Sequence, residues 1–217
     1  MGIPKTGVFA LYDLIGIDLM ADVLKSFKKE LSDNDEFQKV IEGTPMIQKL
    51  IETGYTGRKG KGGFYRMNKT DGKKILEALD LKKNKYFPTK KIDLQIEKVD
   101  LQKLIKREDK YGKYAWSVIS KIILYSSSLV PQITKEYNDI DEALRLGFNW
   151  SMGPFEMLES IGLEAFFSKI GDVKNNQFLE NLKNKNLKKF YDQRQKYTTI
   201  ETLGKIKKSV TQIDKNK

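Results

Sequence analysis

The sequence predicts an all-α protein built from two copies of one helical unit, and three observations carry that prediction. The stretch Gly7-Val-Phe-Ala-Leu-Tyr-Asp-Leu-Ile-Gly-Ile-Asp18 recurs as Gly153-Pro-Phe-Glu-Met-Leu-Glu-Ser-Ile-Gly-Leu-Glu164. Gly7, Phe9 and Gly16 stand where Gly153, Phe155 and Gly162 stand, while Asp13 and Asp18 become Glu159 and Glu164, so charge persists where identity does not. Recurrence at fixed spacing is the signature of repeated structural units packed on each other. Elsewhere apolar residues return at helical spacing, most clearly at Ala115, Val118, Ile119, Ile122 and Ile123. No segment reads as a buried parallel strand.

The elements follow in order. Val8 to Ile15 is apolar nearly all round, which predicts a short buried helix, with Gly16 as its left-handed terminator. Asp18 is placed to cap a second helix running to about Leu31 along Leu19, Val23, Leu24 and Phe27. Phe37 to Ile41 starts a short helix, and Thr44-Pro45 opens another through Met46 to Thr53, ended by Gly54. Gly57-Arg-Lys-Gly-Lys-Gly-Gly-Phe-Tyr65 is too rich in glycine for a helix and predicts a loop leading into an extended piece at Gly63 to Arg66. Lys82 to Lys113 is dense in charge and reads as a connector, extended at Pro88 and helical at Asp93 to Ile105. Tyr114 to Gln132 is the strongest helix, stopped near Pro131. Asp139 and Asp141 open a helix closed by Gly147, and the second repeat then runs from Phe148 to Ile170. Phe178 to Tyr191 reads as one amphipathic helix, and from Lys205 the chain becomes a mobile lysine-rich tail.

Composition excludes whole classes of chemistry. The 217 residues suffice for one domain or two small ones. There is no cysteine, hence no disulfide, thiolate nucleophile or thiolate-held metal. There is no histidine either, which removes the usual general base at neutral pH and any Ser-His-Asp triad. Basic residues number 40 against 29 acidic, a net charge of +11. Nearly all are lysines scattered among polar and apolar positions; Arg58, Arg66, Arg107, Arg145 and Arg194 are the arginines. That distribution reads as a solvated lysine surface rather than a nucleic-acid site, with attraction of an anionic small molecule as a third option; among functions for the chain, a basic nucleic-acid binder is a distant third. No apolar run reaches the ~18 residues of a membrane span, and the N-terminus does not read as a signal peptide, so a cytoplasmic protein is expected. The glycine loop fails as a phosphate cradle: Gly57 and Gly62 have P-loop spacing, but Gly63 stands where the lysine belongs. Gly-x-Gly-x-x-Gly occurs nowhere in the chain.

Three blocks together resemble the C-terminal domain of 3-hydroxyacyl-CoA dehydrogenases, in the two-repeat form found inside multifunctional fatty-acid oxidation proteins. They are Gly2 to Asp18, Gly57 to Tyr65, and Tyr114-Ala-Trp-Ser-Val continued by Asp139-Ile-Asp-Glu-Ala-Leu-Arg-Leu-Gly-Phe-Asn-Trp-Ser-Met-Gly-Pro-Phe-Glu156. The resemblance covers about Met1 to Phe166. It implies two tandem helical copies, the first truncated at its N-terminus: residues 1–81 for the first copy, 82–110 for the connector, 111–200 for the second copy and 201–217 for the tail. It also implies that NAD belongs to a Rossmann domain preceding the helical one, that acyl-CoA lies between the two, and that a His-Glu pair on the Rossmann side takes the hydroxyl proton. This sequence carries neither that pair nor the Asn-Arg-bearing first helix of the first repeat, and so reads as an internal piece of such an enzyme.

The resemblance places Pro4, Lys5, Thr6 and Gly7 toward the acyl-CoA cleft; the alternative is a helix-entry turn without a ligand. Arg58, Lys59 and Lys61 read either as contacts to CoA phosphates or as a solvated basic loop. Phe9, Leu11 and Leu14, with Phe155 and Met157, are expected in the core. Asp13 and Glu159 are expected to cap or to hydrogen-bond at the repeat interface rather than to catalyse. Trp116 and Trp150 are expected as buried anchors. No catalytic, cofactor-binding or metal-binding residue is assigned. The expected partners are acyl-CoA, a Rossmann half in cis or in trans, and further copies of the chain. A non-catalytic interaction module or remnant is the rival reading.

Overall fold

The computed structural model describes residues 3–4, 7–39, 45–70, 72–90, 100–185, 187, 189–191, 195–202 and 205–212, with the backbone alone at 70, 195–202 and 205–212. Two compact units divide the chain, Lys5–Gln95 and Ile96–Lys217 with Met1–Pro4. The chain is helix-rich, as predicted, with a small antiparallel sheet added in the first unit.

The Lys5–Gln95 unit runs α1 (Val8–Ile15), α2 (Ile17–Glu30), a 3-10 turn at Glu36–Lys39 and α3 (Pro45–Glu52), then β1 (Tyr65–Thr70), β2 (Lys73–Asp80) and β3 (Lys85–Pro88). The strands lie in the order β1-β2-β3. Thr70 pairs with Lys73 and Asp80 with Lys85. Ile17, Leu50, Phe64 and Leu79 form the buried core, with Tyr12, Met46, Ile47, Ile51, Tyr55 and Tyr86 packed around it. The extended piece expected at 63–66 is thus the start of a sheet that continues into the supposed connector. The Thr70–Lys73 pairing closes β1 and β2 into an antiparallel hairpin. The prediction missed it because Ile-Leu-Glu-Ala-Leu at 75–79 is made largely of helix formers.

The other unit runs α4 (Leu101–Lys106), α5 (Lys110–Ser128), α6 (Tyr137–Phe148), α7 (Pro154–Ile161), α8 (Leu163–Ile170), α9 (Gln177–Asn184), β4 (Gln195–Thr202) and β5 (Lys205–Gln212). Three of its helices, α4, α5 and α9, start where a side chain accepts a first-turn amide. Asp100 accepts from Lys103 N at 2.7 Å, Asp109 from Gly112 N at 2.9 Å and Asn176 from Leu179 N at 3.1 Å. Leu101, Ile105, Ala115, Ile119, Ile123, Met157, Leu158, Ile161, Leu163 and Phe166 share one buried cluster. A fully buried Phe or Leu contributes about 1.5–3 kcal/mol, so this cluster is the main source of cohesion here. Trp116 and Trp150 pack against it partly buried.

α9 ends at Asn184, short of the expected Tyr191. Phe190 and Tyr191 instead fold back onto α6, where the Tyr137 hydroxyl donates to Phe190 O at 3.1 Å. Where the sequence predicts a lysine-rich tail, β5 pairs along its length with β4.

The twin segments have one local shape. Gly7 and Gly153 are extended and each precedes a helix of 8 residues. Gly16 (φ 114°, ψ 123°) and Gly162 (φ 88°, ψ 135°) end those helices in a conformation that only glycine adopts without strain. Their amides donate to Tyr12 O at 2.8 Å and Leu158 O at 3.0 Å, and their carbonyls accept from Met20 N and Phe166 N to start the following helix. Burial differs between the copies, however. Phe155 and Met157 are fully buried, as expected, whereas Phe9, Leu11 and Leu14 are 42%, 42% and 54% exposed. The prediction that α1 is buried on all sides is therefore corrected: one side packs inward, with Phe9 set 4.6 Å from the Phe64 ring, and the rest is open.

Candidate functional site

The glycine-rich loop is a built structure, anchored from below by a carboxylate. Asp13, on the inner side of α1, is 4% exposed. Its Oδ1 accepts from Phe64 N at 2.8 Å and its Oδ2 from Tyr65 N at 2.7 Å, and its backbone carbonyl accepts from Arg58 N at 2.8 Å. Burial raises the Asp13 carboxyl above the ordinary aspartate range; the two amide bonds and the charge of Arg58 oppose that rise. Gly57 and Gly62 close the loop through Gly57 N to Gly62 O at 2.8 Å. At Gly63 a Cβ would stand 2.0 Å from Asp13 Oδ1, so glycine is required there by space. The Tyr86 hydroxyl donates to Gly63 O at 2.5 Å, and burial pushes that phenol up to about 12.

The three cations of the loop are not equivalent. Lys59 Nζ lies 2.9 Å from Asp18 Oδ2 and holds that carboxyl below its usual range. Lys61 Nζ donates to Thr53 O at 3.1 Å, just past the end of α3. Arg58 is exposed and makes no ion pair among the described residues. The loop therefore offers one uncommitted guanidinium on a braced backbone. Pro4 and Gly7 are exposed, and Lys5 and Thr6 lie outside the described residues.

The second repeat shows what the carboxylates do. Glu159, the counterpart of Asp13, accepts from Phe190 N at 3.2 Å. The sequence Phe190-Tyr191 thus echoes Phe64-Tyr65, a shared ending that the sequence reading missed because the intervening lengths differ. Asp13 and Glu159 each hold backbone amides within their own unit, two for Asp13 and one for Glu159.

A third carboxylate was expected only to open a helix. Asp141 is fully buried in α6, and its two oxygens accept from Phe155 N and Glu156 N, both at 2.9 Å, at the start of α7. Tyr191 also hydrogen-bonds to it. Burial raises the Asp141 carboxyl to about 6 against these bonds and drives the Tyr191 phenol upward. Arg145 pairs with Glu156, whose other oxygen accepts from Gly153 N at 2.9 Å. No group of His, Cys, Asp and Glu among the described residues is arranged to hold a metal, and no helix among them is long and apolar enough to cross a membrane.

The family model of the 3-hydroxyacyl-CoA dehydrogenase C-terminal domain matches residues 1–67 and 117–200. The chain belongs to this family. One twin helix–glycine–helix segment lies in each matched stretch. The chain is 39% identical over 170 residues to a Rickettsia felis protein named as a fatty acid oxidation complex trifunctional enzyme, covering 78% of this chain and 23% of that protein. A Bacillus subtilis protein named as a 3-hydroxyacyl-CoA dehydrogenase is 31% identical over 178 residues, 78% of this chain and 22% of that one. An uncharacterised Rickettsia conorii protein is 45% identical over 47 residues, 22% of this chain and 90% of its own length. The chain thus spans under a quarter of the two long relatives. No solved structure matches.

For the dehydrogenase family the cofactor to test against these residues is NAD. They do not fit it: the sequence has no Gly-x-Gly-x-x-Gly, and every strand pairing among the described residues is antiparallel.

Proposed function

We propose that this chain is the substrate-side and oligomerisation domain of an NAD-dependent 3-hydroxyacyl-CoA dehydrogenase of fatty-acid oxidation, and that it takes part in the redox step only beside a Rossmann domain. The match to the C-terminal domain in two stretches, in a chain without histidine, carries this reading. The family reaction needs a proton acceptor and a hydride acceptor. General acid–base catalysis supplies about 100- to 10,000-fold, and the buried carboxylates here are engaged by backbone amides.

In this reading the chain's own work is to hold the thioester. Arg58 meets a CoA phosphate, because a planar guanidinium pairs well with phosphate oxygens and this one is uncommitted. Lys59 and Lys61 brace the loop and add to its positive field. Pro4, Lys5, Thr6 and Gly7 form the turn toward the acyl end. Calorimetric titration of the full chain with 3-hydroxybutyryl-CoA tests this. Arg58→Ala weakens binding about tenfold, Lys59→Ala weakens it less, and circular dichroism stays unchanged. Equal affinity of Arg58→Ala and the parent chain for acyl-CoA would contradict the assignment.

A second reading, a non-catalytic interaction or remnant module, is favoured by the engagement of the repeat's carboxylates Asp13 and Glu159 with backbone amides. It predicts no acyl-CoA binding and no complex with a Rossmann polypeptide.

A further inference from the structure

We propose that Tyr86 is a positioning residue of the thioester site: its hydroxyl holds the glycine loop in the shape that presents Arg58 to a CoA phosphate. The proposal rests on the reading of Arg58 as the phosphate contact. Every residue it uses lies within the Lys5–Gln95 unit. Gly57, Gly60, Gly62 and Gly63 give the loop wide backbone freedom, and that freedom must be lost before Arg58 can stand in one place. Backbone bonds limit it. Gly57 N donates to Gly62 O at 2.8 Å, Gly60 N to Gly57 O at 3.0 Å, Lys61 N to Gly54 O at 3.1 Å and Arg58 N to Asp13 O at 2.8 Å. The loop so closed leaves through Gly63, and there the Tyr86 hydroxyl donates to the carbonyl at 2.5 Å.

Tyr86 itself is locked. It is half-buried on β3, its ring stacks on Tyr55 at 5.4 Å, and the Arg66 guanidinium lies 4.0 Å over the same ring. Arg66 is held in turn, donating to Glu77 at 2.7 Å and to the Tyr55 hydroxyl at 3.1 Å. The Tyr86 hydroxyl therefore reaches Gly63 with little rotamer freedom left to lose. Burial raises the phenol to about 12, so it stays a donor through the neutral range. The sheet does not need this bond. Leu79 N donates to Phe64 O at 2.8 Å, and Leu79 is buried with Phe64 and Ile17, so the hairpin stays attached to the loop without it. β3 also lies outside both stretches matched by the family model, so the contact is not part of the pattern that identifies the family. A hydroxyl that the sheet can spare, aimed at the residue that closes a flexible cationic loop, pre-organises that loop for its ligand.

The test is a double-mutant cycle on the full chain, read by calorimetric titration with 3-hydroxybutyryl-CoA. Tyr86→Phe keeps the ring and removes only the hydroxyl. It should weaken binding about threefold to tenfold, the range of one net hydrogen bond, with circular dichroism unchanged. Amide exchange at Gly57 in the free chain should quicken about threefold or more, because the loop it closes is loosened. In an Arg58→Ala background the same change should weaken binding no further. Unchanged affinity of Tyr86→Phe, or a loss that repeats in full in the Arg58→Ala background, would overturn the inference, since the hydroxyl would then act on structure and not through Arg58. The two readings fail separately. Affinity lost in Arg58→Ala but kept in Tyr86→Phe would overturn the inference and leave the phosphate contact standing. Affinity kept in Arg58→Ala would overturn the phosphate contact, and the inference with it.

Discussion

Two glycines are fixed by the carboxylates they touch. A Cβ at Gly63 would stand 2.0 Å from Asp13 Oδ1, and one at Gly153 would stand 2.2 Å from Asp141 Oδ1. Neither carboxylate can retreat without releasing the two backbone amides it holds, one on each oxygen. Gly63→Ala and Gly153→Ala should each lower stability by about 1–3 kcal/mol in urea denaturation; a loss confined to one of them would show that the two carboxylates are not equally tied. Asp141 also makes a prediction about pH. Its folded carboxyl lies near 6, above its ordinary value, because burial outweighs the amide bonds. Between about pH 4 and 6 the folded chain keeps a proton that the unfolded chain has lost, so this group's contribution to stability falls as pH rises through that window and is level above it. Asp141→Asn removes that slope. The stability gap between parent and variant should therefore be wider at pH 4.5 than at pH 7. A gap that widens with pH would mean that the amide bonds win. Of these residues, the sequence made Asp13 and Glu159 visible through the repeat. Asp141 was visible only as a helix opener, because the contact it makes spans 14 residues and leaves no local pattern.

Among the elements, those that local chemistry specifies were legible. α5, α7 and α8 follow from apolar stripes and from the glycine between the last two. The sheet was not, since β2 is written in helix formers and becomes a strand because Leu79 and Phe64 share a core and Arg66 on β1 pairs with Glu77 on β2 at 2.7 Å. Arg66 also lies 4.0 Å over the Tyr86 ring, so three strands are tied through one guanidinium. α1 was misjudged for a different reason: an apolar sequence says that a surface wants cover, not that the cover is present. The repeat turns this into a paired prediction. Leu11→Ser should cost about 1 kcal/mol or less, because Leu11 is 42% exposed. Met157→Ala, at the equivalent position, should cost about 2–5 kcal/mol. Equal costs in thermal or urea denaturation would show that α1 is covered in solution.

For the whole molecule, the family was legible because its motifs are backbone devices. They are glycines that end helices, a glycine that admits a carboxylate, and an aromatic pair whose amides that carboxylate holds. Such devices survive in sequence because few residues satisfy them. The ligand-facing residues carry no comparable constraint; a lysine in solvent and a lysine on a phosphate have the same spelling. Of the three loop cations, Lys59 and Lys61 are engaged with Asp18 and Thr53, and Arg58 makes no ion pair among the described residues. The central proposal is that this chain holds a thioester while a Rossmann domain, in cis or in trans, carries out the redox step. The most direct measurement is NADH formation from NAD and 3-hydroxybutyryl-CoA, by the purified full chain alone and mixed with a Rossmann-domain polypeptide of the family that is inactive by itself. The account predicts no NADH from the chain alone and sustained NADH from the mixture; turnover by the chain alone would contradict it.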